Sequence, residues 1–288
     1  MMNRRGFVRA VGGAFGALPA LPLVPLSGCA LESNAARARA QQPLGLQLYT
    51  VRREMARDFE GTLAQVAEIG YTEVEFAGYF DRTPQQVRRA LQQAGLKSPA
   101  AHISLELLGE AWDETLGSAI TIGHQSLVVA WIPQERRTLD GLMRVAALLD
   151  RAGEAALRAG LRLGYHNHEF EFTPVDGVVP YDLLLDRTNP ARVQFEMDLY
   201  WIARGNGDPL AYFAKSPGRF PMVHVKDMDG SADRGQTEVG SGVLDFRGIF
   251  AHAAQAGIRH YFVEHDSPAS PLESIRKSYQ AMVGLLRA

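Results

Sequence analysis

Short apolar runs that stop abruptly at polar residues recur along this chain, separated by segments with helical periodicity. In the second half, Leu161 to Leu163 leads into Tyr165-His166-Asn167-His168-Glu169, and Val193 to Phe195 into Glu196-Met197-Asp198. Met222 to Val223 leads into His224-Val225-Lys226-Asp227, and Tyr261 to Val263 into Glu264-His265-Asp266. Read over the whole chain, the pattern predicts strands at 44–49, 73–76, 100–103, 126–130, 161–166, 193–198, 221–225 and 261–264. The intervening helices are expected at 59–69, 84–94, 112–121, 139–159, 180–187, 209–216, 246–256 and 271–287. Helices opening with Pro, and Gly70, Gly95, Gly160 and Gly257 before the next strand, supply start and stop signals. Eight strand-helix pairs whose strand starts lie 26 to 40 residues apart fit a closed (β/α)8 barrel better than an open sheet.

The first 43 residues stand apart from that pattern. Asn3-Arg4-Arg5-Gly6-Phe7 carries paired arginines, residues 10–26 carry no charge, and Leu26-Ser27-Gly28-Cys29 closes the stretch. This order is that of an export signal of the Tat type, and Leu-Ser-Gly-Cys resembles the lipobox of bacterial lipoproteins. Residues 1–29 are thus expected to be a leader with Cys29 as lipidation site, 30–43 a tether, and 44–288 the catalytic domain of a periplasmic or membrane-anchored lipoprotein. Prolines 19, 22 and 25 break the apolar stretch, which disfavours a permanent membrane span. Cys29 is the only cysteine, so disulfides are excluded. The remaining length, about 245 residues, is that of one (β/α)8 domain. A net charge of -2 without a basic cluster after the leader argues against a nucleic-acid surface.

Four consecutive parallel strands ending in His, Asp, His and Glu converge on one point only around a barrel. A mixed set of imidazoles and carboxylates at that point suits one divalent metal, Mn, Co, Mg or Zn. The expected partner is a small, sugar-like polyol, and the oligomeric state is open.

These motifs, with the opening Leu44-Gly45-Leu46-Gln47-Leu48-Tyr49-Thr50-Val51-Arg52, resemble the sugar phosphate isomerase/epimerase superfamily, the xylose-isomerase-like TIM barrels. In the epimerases of that group, Glu, Asp, His and Glu at the ends of strands five to eight hold a divalent metal. The resemblance therefore implies Asp198, His224 and Glu264 as ligands. The fifth strand departs from the pattern, with His166 where the group often has Glu. His166 and His168 share one face by the period of two. Either can be the fourth ligand while the other transfers a proton; His166 is taken as ligand and His168 as base.

Each assignment has a plainer counterpart. Asp198 can be a solvated turn acid, His224 a structural donor, and Glu264 a partner of Arg259. Glu196 can orient a ligand as readily as touch the ion. Lys226 can stabilise an enolate oxygen or pair with Asp227. Glu171 can reach a substrate hydroxyl or merely satisfy loop backbone. Gln47, His102 and Trp131, near the ends of strands one, three and four, are expected to form substrate walls. His124, His252 and His260 are expected to be structural, and His265 to lie behind the barrel wall.

Abstracting a proton next to a sugar carbonyl needs a Lewis acid to spread the enediolate charge and a base of near-neutral pKa, and Glu264 with His168 and Lys226 are expected to carry that chemistry. The expected activity is a metal-dependent sugar isomerase or epimerase acting on a free or glycosidic sugar. The alternative on the same site is a 3-keto-glycoside lyase or hydratase, or an inosose-dehydratase-like eliminase, which the asymmetric His/Glu pair mildly favours. A non-catalytic sugar-binding lipoprotein is the alternative of another class. An enzyme like endonuclease IV would need more His and Glu ligands and a basic groove, neither of which the sequence displays.

Overall fold

The apolar runs become parallel strands because they are buried on both faces, as sheets wrapped by helices require. The structure is a computed structural model and describes residues 43–287. The leader, Cys29 and the tether up to residue 42 lie outside the described residues. Strands β1 (Leu44–Gln47), β2 (Glu73–Phe76), β3 (Lys97–Ile103), β4 (Ser126–Val129), β5 (Arg162–His166), β6 (Val193–Asp198) and β7 (Met222–Val225) are followed by a small antiparallel ribbon, β8 (Asp227–Met228) with β9 (Gln236–Thr237), and by β10 (His260–Val263). β1 to β7 and β10 close into an eight-stranded barrel in sequential order, with β10 returning to β1. The expected (β/α)8 architecture is present.

Helices Phe59–Ile69, Pro84–Ala94, Pro180–Arg187 and Pro271–Arg287 lie where the sequence signals place them. Thr83 and Gln86 cap each other's backbone at the start of Pro84–Ala94, and Gly95 ends that helix at φ 69°, a conformation open to glycine at little cost. The helix expected over 246–256 divides into Phe246–Ala251 and Ala253–Ala256, since the His252 N–H is shared between the Ile249 and Phe250 carbonyls. Two short helices are additional, Arg52–Arg57 and Leu199–Arg204, each too brief to show a period.

Most apolar residues pack between the barrel's outer face and the helices. Inside the barrel, Ala100, Val128, Met222 and Phe262 form a small plug. Below it Glu73 accepts from His260 at 2.8 Å; above it the floor is polar. Gly45 makes room for the plug: a Cβ there would lie 2.4 Å from Phe262 Cδ1. Gly45→Ala is expected to cost about 1–3 kcal/mol by overpacking, read by urea denaturation. A loss below about half a kcal/mol would mean that the ring moves aside freely.

Candidate functional site

The pleat decides what faces the barrel axis. Period-two alternation puts Gln47, Glu75, His102, His166, Glu196, Asp198, His224, Lys226 and Glu264 on the inner side at the strands' C-terminal ends. Neighbouring strands hold each other in place. Asn167 Oδ1 accepts from the Asp198 N–H at 3.0 Å, and its Nδ2 donates to the Asp198 carbonyl at 3.3 Å. Asp198 in turn caps the helix Leu199–Arg204, its Oδ1 accepting from the Trp201 N–H at 2.8 Å. With Oδ1 fixed this way, Oδ2 is left to face the axis.

Two groupings meet at His224. On its Nδ1 side lie Glu264 Oε2 at 2.7 Å and Asp198 Oδ2 at 3.9 Å. On its Nε2 side lie Glu75 Oε2 at 2.7 Å and Glu196 Oε2 at 3.1 Å. Glu196 Oε2 also bonds His102 Nε2 at 2.7 Å and approaches His166 Nδ1 at 3.3 Å, while His166 Nε2 is 3.8 Å from Asp198 Oδ2. The donor atoms of Asp198, His224 and Glu264 fall within 4.8 Å of one another, as do those of His102, His166, Glu196 and His224. Asp198 Oδ2 and Glu196 Oε1 accept no hydrogen bond among the described residues. Their buried lone pairs, with imidazole and carboxylate neighbours, fit a divalent ion.

Electrostatics points the same way. Glu75, Glu196, Asp198 and Glu264 are all buried, and Lys226 lies 2.8 Å from Glu264 Oε2 and 3.1 Å from Asp198 Oδ2. Burial pushes Asp198 up to about 6 despite Lys226 beside it. Burial, then the Glu196 charge, also raises Glu75. Burial alone would lower His224, but Glu196 and Glu264 hold it well above the usual imidazole value; Glu75 and Glu196 likewise outweigh burial at His102. Glu264 and Glu196 go the other way, kept charged against burial by Lys226 with His224 and by His224 with His102. Four groups thus take up protons more readily than usual, the response of a site short of positive charge.

The mouth of the barrel opens into a cavity of about 460 Å³, lined among others by His102, Trp131, His166, His168, Lys226 and Glu264. His168 lies apart from both groupings, its ring 4.7 Å from Trp131 and 5.5 Å from Trp201. Burial and the Lys226 charge hold its pKa down to about 3, so the ring is neutral at physiological pH. Trp131 is half exposed on the rim, with the Arg137 guanidinium 4.2 Å above its ring. Lys226 pairs with Asp198, Glu264 and Asp266, not Asp227; the Asp227 carboxylate turns away to hold the N–H groups of Gly240 and Gly242.

Gln47, expected in the substrate wall, and Glu171, a candidate for a substrate hydroxyl, sit elsewhere. Gln47 is fully buried below the mouth, donating to Glu75 Oε2 at 2.7 Å. Glu171 is fully buried behind the wall, accepting from the Tyr165 hydroxyl and, at 2.9 Å, from the His168 N–H. It serves the loop backbone and does not line the cavity. Burial raises Glu171 to about 8, against an ordinary carboxylate value near 4.5. A raised carboxylate pKa means the folded chain holds a proton that the unfolded chain has lost, so stability falls as pH rises from about 4.5 to about 8. Glu171→Gln is expected to flatten that part of the profile, seen by comparing denaturation of both proteins at pH 5 and 8; parallel profiles would exclude this role.

Glu75 was not expected, and His102 is more central than a wall residue. With Glu196 they bring further His and Glu donors to the mouth, which corrects the expectation that the chain lacks them. The signal for Glu75 is the acid-apolar alternation Glu73-Val74-Glu75-Phe76 within a barrel strand, where each acid points inward.

The family model described as a xylose isomerase-like TIM barrel matches residues 63–287. An inosose dehydratase of Lacticaseibacillus casei is 24% identical over 264 residues, covering 76% of this chain and 87% of that protein. The crystal structure of a sugar phosphate isomerase/epimerase from Parabacteroides distasonis superposes with a TM-score of 0.75 at 27% identity, covering 83% of this chain and 92% of that one. The IOLI protein, solved with a zinc atom bound, superposes with a TM-score of 0.67 at 13% identity over 85% and 98% of the two chains, a likeness of fold.

Proposed function

Since the chain belongs to the xylose isomerase-like TIM-barrel family, we propose that it is a divalent-metal-dependent sugar isomerase or epimerase. It would work by proton abstraction next to a carbonyl, through an enediolate, on a free or glycosidic sugar. The carrying observation is the cluster of four buried carboxylates at the floor of a cavity that can admit a sugar, Asp198 and Glu264 beside Lys226 and Glu75 and Glu196 beside His224. His166, Asp198, His224 and Glu264 would hold the ion. Bound there, it supplies Lewis-acid polarisation of the sugar carbonyl. Glu75 and Glu196, on the far nitrogen of His224, fix the ring's orientation and tautomer. His168, lining the cavity, takes the proton and as the imidazolium returns it; burial and Lys226 make it a weaker base than the near-neutral one expected, and Glu264 lines the same cavity. Lys226 Nζ offers its ammonium to negative charge developing on the substrate oxygen.

Elimination is the second reading. It is supported by the unlike pair His168 and Glu264, which suits removing a proton and expelling a neighbouring oxygen, and by the inosose dehydratases among the relatives. Proton NMR of the metal-loaded chain with 3-keto-glucose and with inosose in D2O separates the two. Deuterium in an intact sugar, at the carbon next to the carbonyl, is the expected result. An enone, or loss of water or of the glycosidic group, selects the second reading. No exchange with any keto sugar overturns both.

A further inference from the structure

Beside the catalytic cavity lies a second one of about 510 Å³, and Ala77, His102, Ile103 and Ser104 belong to the lining of both. Each volume lies within the roughly 300–1,000 Å³ of pockets that bury most of a drug-sized molecule. The first alone is therefore ample for one six-membered ring, and the second is space that a monosaccharide leaves unused.

The lining of that second space is mixed: Ile103, Leu107 and the Tyr79 ring give it apolar surface, and Ser104, Glu114, Thr115 and Ser118 bring polar groups. Ala111, Glu114, Thr115 and Ser118 recur at helical spacing along the start of helix Trp112–Ile122, so one face of it forms the floor. The helix buries Trp112, Leu116, Ala119 and Ile122 against the barrel, and its other face brings the Glu114 carboxylate and the Ser118 hydroxyl to the groove, while the Thr115 hydroxyl donates to the Ala111 carbonyl at 2.8 Å. The half-buried Tyr79 ring forms part of the lining, its hydroxyl 3.0 Å from His124 Nε2. Gly78 is exposed and a Cβ there would meet nothing within 4 Å, so the rim is open. Hydrogen-bonding groups beside an aromatic ring suit a second hydroxylated ring better than an apolar group.

We infer that the chain acts on a two-ring glycoside, with the reacting ring over Glu264 and His168 and the second ring in the groove between Tyr79 and the 111–118 helix face. This inference rests on the proposed function and narrows its substrate class from sugars in general to disaccharide-type glycosides. His102 stands where the two rings join, since it belongs to both cavities and is tied to Glu196.

The test compares kcat/KM of the metal-loaded full chain on 3-keto-glucose with that on the 3-keto forms of maltose, cellobiose and trehalose. At least one disaccharide is expected to exceed the monosaccharide by about tenfold or more, the equivalent of about 1.4 kcal/mol. Ser118→Trp should fill the groove and abolish that advantage while leaving the 3-keto-glucose value within about twofold. Glu114→Trp, at an exposed position where folding is not at stake, should do the same. Disaccharides no better than the monosaccharide, or an advantage that survives both variants, overturns the inference. Turnover of 3-keto-glucose distinguishes this failure from that of the proposed function: it persists if only the groove assignment is wrong and is missing if the site has no such chemistry.

Discussion

Replacing Lys226 by Met is expected to destabilise the metal-free protein by about 3–5 kcal/mol, the usual cost of removing one partner from a buried ion pair. The ammonium lies 3.1 Å from Asp198 Oδ2 and 2.8 Å from both Glu264 Oε2 and Asp266 Oδ1, and is itself buried. Without it, the nitrogens left beside these charges are those of His224 and His166 for Asp198 and of His224 for Glu264. In the proposed site a divalent ion would be drawn by those same carboxylates, so Lys226 and the ion would compete for them. The Tm gain on adding metal should therefore be larger in Lys226→Met than in the wild type, since an ion at a hundredfold excess over its Kd contributes about 2.7 kcal/mol and more as affinity rises. Thermal melts with and without chelator measure this. Equal metal-dependent shifts in the two proteins would mean that the ion and the lysine do not share ligands.

Asp198→Asn is expected to lower kcat on the order of a thousandfold, because Lewis-acid stabilisation is worth several kcal/mol and about 1.4 kcal/mol is tenfold in rate. The amide keeps an oxygen for the Trp201 N–H, so the cap on helix Leu199–Arg204 survives. What disappears is the negative charge on the oxygen that faces Lys226, His166 and His224. Asp198→Ala removes the cap too and should cost a further 1 kcal/mol or so in stability. Steady-state kinetics beside denaturation curves separates the effects. Activity within tenfold of wild type in a folded Asp198→Asn protein would remove Asp198 from the ligand set.

The barrel was legible because each strand is a short apolar run on a regular spacing, and the helix punctuation was local: proline at the first turn, glycine after the last. The short helices were not, since Leu199–Arg204 gains its start only from Asp198, a residue whose more obvious signal was its place at a strand end. Within the site, strand-end position located Asp198, His224, Lys226 and Glu264 around one mouth, and period two brought His166 and His168 to the same side. Glu75 escaped because a glutamate in an early strand looks like half of a solvated alternation until closure of the barrel makes its face an interior. Glu171 was misplaced for the opposite reason. It shares neither a strand nor an alternating face with His168, and the turn Phe170–Phe172 folds it back against Tyr165, which points out of the barrel.

The measurement that bears most directly on a metal-dependent site is elemental mass spectrometry of the purified protein, alongside activity before and after dialysis against chelator. The account predicts about one Mn, Co, Mg or Zn per chain, lost together with keto-sugar turnover on chelation and restored with it when the ion is returned. A chain that takes up none of these ions on incubation, or that turns over its sugar undiminished in chelator, would contradict it.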